Sequence, residues 1–287
     1  MNTRKTIRTY SGAVAIVTGG ASGIGRAISE ELVKRNCEVV IADLQIELAE
    51  EIASKLRISG GNATAQKIDV TNYPAMEQLV DSTFQRTGRL DYFFNNAGIS
   101  IIGSGVIDYS IEDWNYIVDV NIKGVINGIQ AVYKIFVNQG FGHIVNTASI
   151  SGLIPSPGLV PYSTTKHAVV GLSKSLRAES AHLGVKVSVL CPGFIQTPLL
   201  DGGMFGRIVI SPEAMKTKRR KIENFKPMPP NIYAEKAVNA VAKNKAIIIE
   251  SSWMKWLWRI NRFFPSLGIT LTQKVFLKTL DISKEPK

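Results

Sequence analysis

Ala13-Val14-Ala15-Ile16-Val17-Thr18-Gly19-Gly20-Ala21-Ser22-Gly23-Ile24-Gly25 runs from an apolar, β-branched stretch through a glycine-rich turn into Ala27, Ile28 and Leu32 at helical spacing. A strand so continuously apolar suits a sheet covered on both faces. Strand, turn and helix in immediate succession are the context a dinucleotide site requires. Gly19 permits the tight turn, Gly23 lets the backbone approach a pyrophosphate, and Gly25 lets helix and strand pack closely. The unpaired N–H groups and the dipole at the helix N-terminus favour such an anion.

Asp43 follows the next strand, at the distance beyond the glycines where a carboxylate accepts hydrogen bonds from the adenosine ribose hydroxyls and repels a 2′-phosphate. Ala21, Ser22 and Leu44 bring no positive charge, so the pattern favours NAD over NADP. A solvated aspartate at a strand end is the alternative reading of Asp43.

Farther along, short β-branched runs alternate with helical segments, the pattern of repeated βαβ units around a parallel sheet. Strands are read at 13–18, 38–42, 63–68, 91–95, 143–148, 185–191 and 246–250, with helices beginning near Ile24, Ile46, Ala75, Ile111, Tyr162 and Ala234. The expected fold is α/β, a single Rossmann-type, doubly wound domain with a parallel sheet of about seven strands flanked by helices. Residues 1–250 form the nucleotide-binding catalytic domain on this reading, and 251–287 a basic, amphipathic helical extension. Gly202, Gly203, the basic run 216–221 and Pro227, Pro229 and Pro230 break the rhythm, so 196–233 reads as a mobile substrate loop inserted in that domain.

Of the 287 residues 45% are apolar and 20% charged, which excludes a disordered or fibrous chain. No run reaches the ~18 uninterrupted apolar residues of a membrane span. The polar start carries Arg4, Lys5 and Arg8 with no apolar stretch behind them and is not a secretory signal. Cys37 and Cys191 fit neither a disulfide framework nor a metal-ligand spacing; they read as small buried residues beside strands, with the cytoplasm as the default compartment. His143, His167 and His182 do not cluster as ligands, so no metal is expected and surface or capping roles are assigned to all three. The net charge of +11 is C-terminal: residues 201–287 hold 17 Lys+Arg against 7 Asp+Glu, leaving 17 against 16 before them. The run 216–221 lacks interleaved stacking aromatics, and no nucleic-acid partner is expected.

Tyr162 and Lys166 stand four apart at the start of a helix, so both side chains project from one face. A nearby ammonium stabilises a phenolate and shifts a phenol of pKa ~10 toward neutrality, where it exchanges protons. The same spacing occurs on many solvated helices, and the pair acquires meaning from its company. The glycine turn, Asn95-Asn96-Ala97-Gly98 after the fourth strand, Ser149 after the fifth, Tyr162-Ser163-Thr164-Thr165-Lys166, and Pro192-Gly193 with Thr197 after the sixth follow in order. This set closely resembles the classical short-chain dehydrogenase/reductase family over residues 11–250.

The resemblance implies an NAD(P)-dependent oxidoreductase acting on CH–OH groups. It implies Ser149, 13 residues before Tyr162, as the hydroxyl that orients and polarises the substrate oxygen, with Ser151 a nearby decoy. Tyr162 would be the general acid/base, and Lys166 its partner and a ligand of the nicotinamide ribose. Asn121, in Asp119-Val120-Asn121-Ile122-Lys123-Gly124, matches the family's asparagine that holds a water linking the Lys166 ammonium to solvent. A helix-interior asparagine bonding its own backbone is the alternative. Asp69-Val70 resembles the adenine contact, although Asp69 serves equally as a cap of the turn into the next helix. Asn95, Ala97 and Gly98 would wall the cofactor site, Thr197 would meet the carboxamide, and Thr18, Ser22, Ile24, Pro192, Gly193 and Ile195 complete the implied contacts.

In the extension, Trp253, Leu257, Ile260 and Phe264 line one side of a helix and Lys255, Arg259 and Arg262 fall on another. Such an element lies on an anionic bilayer through 253–280, or packs on its own domain or on a second subunit of a homodimer or homotetramer. The sequence leaves these open. Together with apolar Leu199, Leu200, Met204, Phe205 and Ile208, the extension points to a hydrophobic substrate. The functional expectation is hydride transfer between NAD(H) and a secondary alcohol or ketone. An NADPH-preferring carbonyl or 3-oxoacyl reductase and a catalytically idle NAD-binding sensor or scaffold are the alternatives.

Overall fold

The computed structural model describes residues 6–282; residues 1–5, with Arg4 and Lys5, and 283–287 of the extension lie outside the described residues. The first half of the chain runs β1 (Val14–Thr18), α1 (Gly23–Lys34), β2 (Glu38–Asp43), α2 (Ile46–Ile58), β3 (Ala63–Lys67), α3 (Tyr73–Thr87), β4 (Tyr92–Asn95), β5 (Ile101–Ile102), α4 (Ile111–Val118) and α5 (Gly124–Gln139). The second half runs β6 (Gly142–Thr147), α6 (Val160–Ser180), β7 (Val185–Leu190), β8 (Arg207–Ile208), α7 (Pro212–Asn224), α8 (Pro230–Ala242), β9 (Ile247–Ile248), α9 (Ser252–Phe263) and α10 (Pro265–Ile282).

Seven strands form one sheet in the order β3-β2-β1-β4-β6-β7-β9, and every pairing in it is parallel. This is the doubly wound topology, with the order reversing between β1 and β4. The alternation along β1 explains why it is apolar at every position. Ala15 and Val17 join the core under α1 and α8 with Ile28, Leu32, Val238 and Val241. Val14 and Ile16 join the opposite core under α3 and α5 with Met76, Leu79, Val132 and Phe136. Helix ends follow local chemistry: the Asn72 side chain accepts from Ala75 N at the start of α3, and Gly88 ends it in the left-handed conformation.

The expected sheet is present, with its strand ends displaced by a residue or two. β9 shrinks from the 246–250 reading to Ile247–Ile248, because only those residues pair with β7. Helix α5 was not expected. It continues α4 through a π-helical turn, Asp119–Lys123, so the periodicity starting at Ile111 does not break where the helix changes character.

Two expectations need correction. The segment 196–233 is not irregular: it holds β8, α7 and the start of α8. It is fastened to the body by the β5–β8 pairing, by Arg207 on Asp113 (2.7 Å) and by Lys218 Nζ on the Gly103 carbonyl (3.2 Å). His143 is neither a surface nor a capping residue. It lies within the sheet, its Nε2 2.8 Å from the Ser188 hydroxyl, and burial pushes its pKa down to about 3. Cys37 and Cys191 are buried and free, as expected.

Candidate active site

β1 ends in a turn that only glycine accommodates comfortably. Gly19 and Gly23 have φ of 62° and 51°, and a Cβ on Gly25 would lie 2.1 Å from the Gly19 carbonyl oxygen. Ser22 is the N-cap of α1, yet its hydroxyl makes no capping bond, which leaves the N–H groups of the first turn open to another acceptor. Across the turn, β2 delivers Asp43. Its carboxylate accepts from Ala21 N (2.9 Å) and Gln45 N (3.0 Å), so Asp43 is a buried brace of the turn rather than a solvated strand end. Asp69 makes its own turn, accepting from Thr71 N (2.9 Å) and Thr71 Oγ1 (2.7 Å).

A cleft of about 560 Å³ runs from Asp43, Asp69 and Val70 past Ser22, Gly23 and Ile24 to Tyr162 and Lys166. Its volume falls in the roughly 300–1,000 Å³ range of small-molecule and cofactor pockets. Ala97, Gly98, Pro192 and Thr197 also line it, and the far end is closed by Leu199, Met204 and Phe205. Among the described residues Lys166 is the sole basic one in this lining, against Asp43, Asp69 and Asp119.

Ser149, after β6, is buried together with Tyr162 and Lys166, which share α6. Ser149 caps the 3-10 turn Ile150–Gly152, its Oγ accepting from Ser151 N over 3.1 Å. The Ser151 carbonyl accepts from Ser163 Oγ (2.8 Å). Tyr162 sits in the first turn of α6, within hydrogen-bonding reach of Ser149. One turn on, Lys166 donates Nζ to the Thr147 carbonyl (3.0 Å) and lies 5.5 Å from the centre of the Tyr162 ring.

The electrostatics of this pair reverse the sequence expectation. Burial pushes the Tyr162 phenol up to about 12, with the Ser149 hydrogen bond pulling the other way, and pushes the Lys166 amine down to about 8. Spacing predicted that the amine would acidify the phenol. Taking both groups out of water penalises both charged forms, and burial is the largest cause of either shift.

Asn121 lies in the π turn between α4 and α5, fully buried. Its Oδ1 accepts from Ile99 N (2.8 Å), and its Nδ2 donates to the Ile99 carbonyl (3.0 Å) and Thr165 Oγ1 (3.1 Å). It does not bond its own backbone; it ties the segment after β4 to α6. Gly98 passes between Asn121 and Lys166, where a Cβ would come within 3.1 Å of Asn121 Oδ1 and 3.2 Å of Lys166 Nζ.

Several residues assigned to the cofactor stand outside the lining. Thr18 Oγ1 donates to the Phe94 carbonyl (3.2 Å) and accepts from Asn96 N (3.0 Å), joining β1 to β4. Asn95 points behind the sheet, donating to Asn146 Oδ1 (2.9 Å). Gly193 lies under Met254, and Ile195 is buried in the core where it bridges to Met228. Other residues were overlooked. Asn96 braces the turn by donating to the Thr18 and Gly19 carbonyls (3.1 and 3.3 Å), and the doubled asparagine after β4 was its only sequence signal. Tyr116 holds the far end, its hydroxyl donating to the Phe205 carbonyl (2.9 Å), and no local pattern announces it. Among the described residues no cluster of three His, Cys, Asp or Glu could hold a metal ion.

A sequence model of the short chain dehydrogenase family matches residues 13–202. The chain belongs to the short-chain dehydrogenase family. An uncharacterized oxidoreductase of Staphylococcus epidermidis is 36% identical over 193 residues, 67% of this chain and 82% of the relative. The oxidoreductase UcpA of Salmonella typhimurium is 33% identical over 212 residues, 74% of this chain and 80% of its own. Among solved structures, a short-chain dehydrogenase/reductase from Burkholderia phymatum in complex with NAD superposes with a TM-score of 0.82 at 27% identity, covering 91% of this chain and 96% of that one. Family membership makes the protein an oxidoreductase of the short-chain dehydrogenase type, and the match ends before α7, α9 and α10.

Proposed function

We propose that the chain transfers hydride between NAD and the oxygen-bearing carbon of a hydrophobic secondary alcohol or ketone. The observation that carries the reading is that the glycine turn and the pair Tyr162 and Lys166, distant in sequence, meet along one cleft of cofactor size, with Ser149 behind the lining on Tyr162. The fit of a dinucleotide rests on the uncapped start of α1, on the turn whose glycines keep side chains out of the way, and on Asp43 at the end of β2. On this reading the α1 N-terminus holds the pyrophosphate, Asp43 the adenosine ribose, and Tyr162 with Lys166 the nicotinamide ribose. NAD would supply or accept the hydride.

The chain's own residues do the rest. Ser149 holds the substrate oxygen beside Tyr162, whose hydroxyl gives or takes the proton. The Lys166 cation, fixed by the Thr147 carbonyl, lowers the cost of a phenolate in a buried site. NAD is favoured over NADP because the cleft near Asp43 and Asp69 is acidic and its lining has no cation there. The apolar far end, Leu199, Met204 and Phe205, supports a hydrophobic substrate. The test is turnover of a panel of secondary alcohols and ketones with NAD(H), comparing wild type with Tyr162→Phe. The variant is expected to bind NADH normally and to lose roughly 10²–10⁴-fold in rate, the usual contribution of a general acid/base. Undiminished turnover by the variant would sink the reading.

A further inference from the structure

The helix after the last strand presents three distinct faces. At ~100° per residue, Met254, Trp258 and Asn261 share one arc, and it is this arc that docks on the domain. Met254 is buried over Gly193, Trp258 packs against the core, and Asn261 Nδ2 donates to the Leu153 carbonyl over 3.4 Å. The apolar stripe seen in the sequence is a different arc. Trp256, Leu257, Ile260, Phe263 and Phe264 all face outward, with Phe263 73% and Trp256 63% exposed, and Trp253 at the edge stacks on Phe225. Lys255, Arg259 and Arg262 occupy the arc between these two, with Arg259 over the Trp256 ring.

A monomeric soluble surface seldom exposes so many large aromatics side by side. What covers them is indicated by the charge next to them: α9 carries three cations and no acidic residue. A second copy of the chain packed through the same face offers these cations no counter-charge, because the apposed α9 carries the same three cations and no acidic residue. An anionic lipid surface satisfies both features, since aromatic rings settle at the headgroup level and basic side chains beside them meet lipid phosphates and carboxylates. No described helix is long and apolar enough to cross a membrane, so the element would lie along the surface. α10 adds exposed Leu267 and Leu271.

We propose that the outward aromatic face of α9, with Lys255, Arg259 and Arg262, docks the protein on anionic membrane surfaces. The docking does not depend on the proposed reaction, and its test does not read activity. Full-length protein is sedimented with vesicles of phosphatidylcholine alone or of phosphatidylcholine with phosphatidylserine. Binding is expected with the second composition only, falling as salt is raised. Arg259→Gln with Arg262→Gln should weaken partitioning about fivefold for each cation removed. Trp256→Ser with Phe263→Ser should abolish it while circular dichroism and melting stay as in wild type. A blue shift of tryptophan emission on vesicle addition reports insertion, and the lipid and salt dependence of wild type carries the test should a variant not fold. Equal binding to both compositions, or no binding, overturns the proposal. So does dissociation of a dimer by Trp256→Ser with Phe263→Ser in the absence of vesicle binding, which would assign the face to a second copy.

Discussion

Lys166 gives a hydrogen bond to the Thr147 carbonyl at 3.0 Å and holds its ammonium 5.5 Å from the centre of the Tyr162 ring. Its fixed partner is therefore a neutral backbone group and not a carboxylate. Burial is the largest cause of its shift, only partly opposed by Cys191, and the amine is pushed down to about 8.

That shift has a signed consequence for stability. Below about pH 8 the amine is protonated in folded and unfolded chains alike, and its burial costs stability; between about 8 and 10.5 the unfolded chain keeps a proton that the folded chain has released. Stability therefore rises with pH through that window, by up to about 3 kcal/mol. Tyr162 acts in the opposite sense from 10 to about 12, where the unfolded phenol ionises first. Denaturant titrations along this pH range should show the rise in wild type and not in Lys166→Met. A rise of equal size in both would refute the assignment.

His143 is buried beside Ser188 with its pKa pushed down to about 3. Between about 6.5 and 3 the unfolded imidazole takes a proton that the folded one refuses, so stability is lost as pH falls through this range. His143→Gln, which keeps a polar partner for Ser188 without titrating, is expected to flatten the acid limb of the stability profile by a few kcal/mol. An unchanged acid limb would mean that other groups govern acid unfolding.

Asp43 braces Ala21 N and Gln45 N while facing the cleft. Asp43→Ala removes charge-assisted hydrogen bonds worth ~1.5–3 kcal/mol each, so fluorescence titration should show NADH affinity falling roughly tenfold or more. NADPH binding should fall less, because the same substitution removes a repelling charge. Equal losses for the two cofactors would argue against Asp43 as the discriminating group.

Two glycine substitutions should differ in sign. A Cβ on Gly25 would meet the Gly19 carbonyl oxygen at 2.1 Å and Asn96 Nδ2 at 2.4 Å, whereas one on Gly171, inside α6, meets nothing within 4 Å. Gly25→Ala is expected to lower the melting temperature and abolish NADH binding. Gly171→Ala should stabilise by about 1 kcal/mol with binding intact, as alanine is the better helix former. Thermal melts of both variants decide it.

Much of the architecture could be read in advance because it is written at short range. The β1 strand, the turn to Gly25 and α1 follow one another within a single βαβ unit, and period and glycine placement announce them. The same local logic missed α5, since a π turn leaves the helical period running through Asp119–Lys123, and misjudged 196–233, whose glycines and prolines resemble a loop. That segment is ordered by partners far away in sequence: Arg207 needs Asp113, Phe205 needs Tyr116, and Ile101–Ile102 must be beside Arg207–Ile208. Asn95 and Gly193 were assigned by motif, but the direction in which each faces depends on Asn146 and Met254.

From its residues alone the chain declared a parallel α/β sheet, a phosphate-sized turn and the order of its motifs, because backbone propensity and side-chain period act between near neighbours. Only the folded molecule decided that burial disfavours the charged forms of both Lys166 and Tyr162, that Asp43 supports the turn it faces, and that α9 docks through Met254, Trp258 and Asn261 with its aromatics turned outward. Dielectric environment and facing are properties of what surrounds a residue, and the surroundings are assembled from distant parts of the chain.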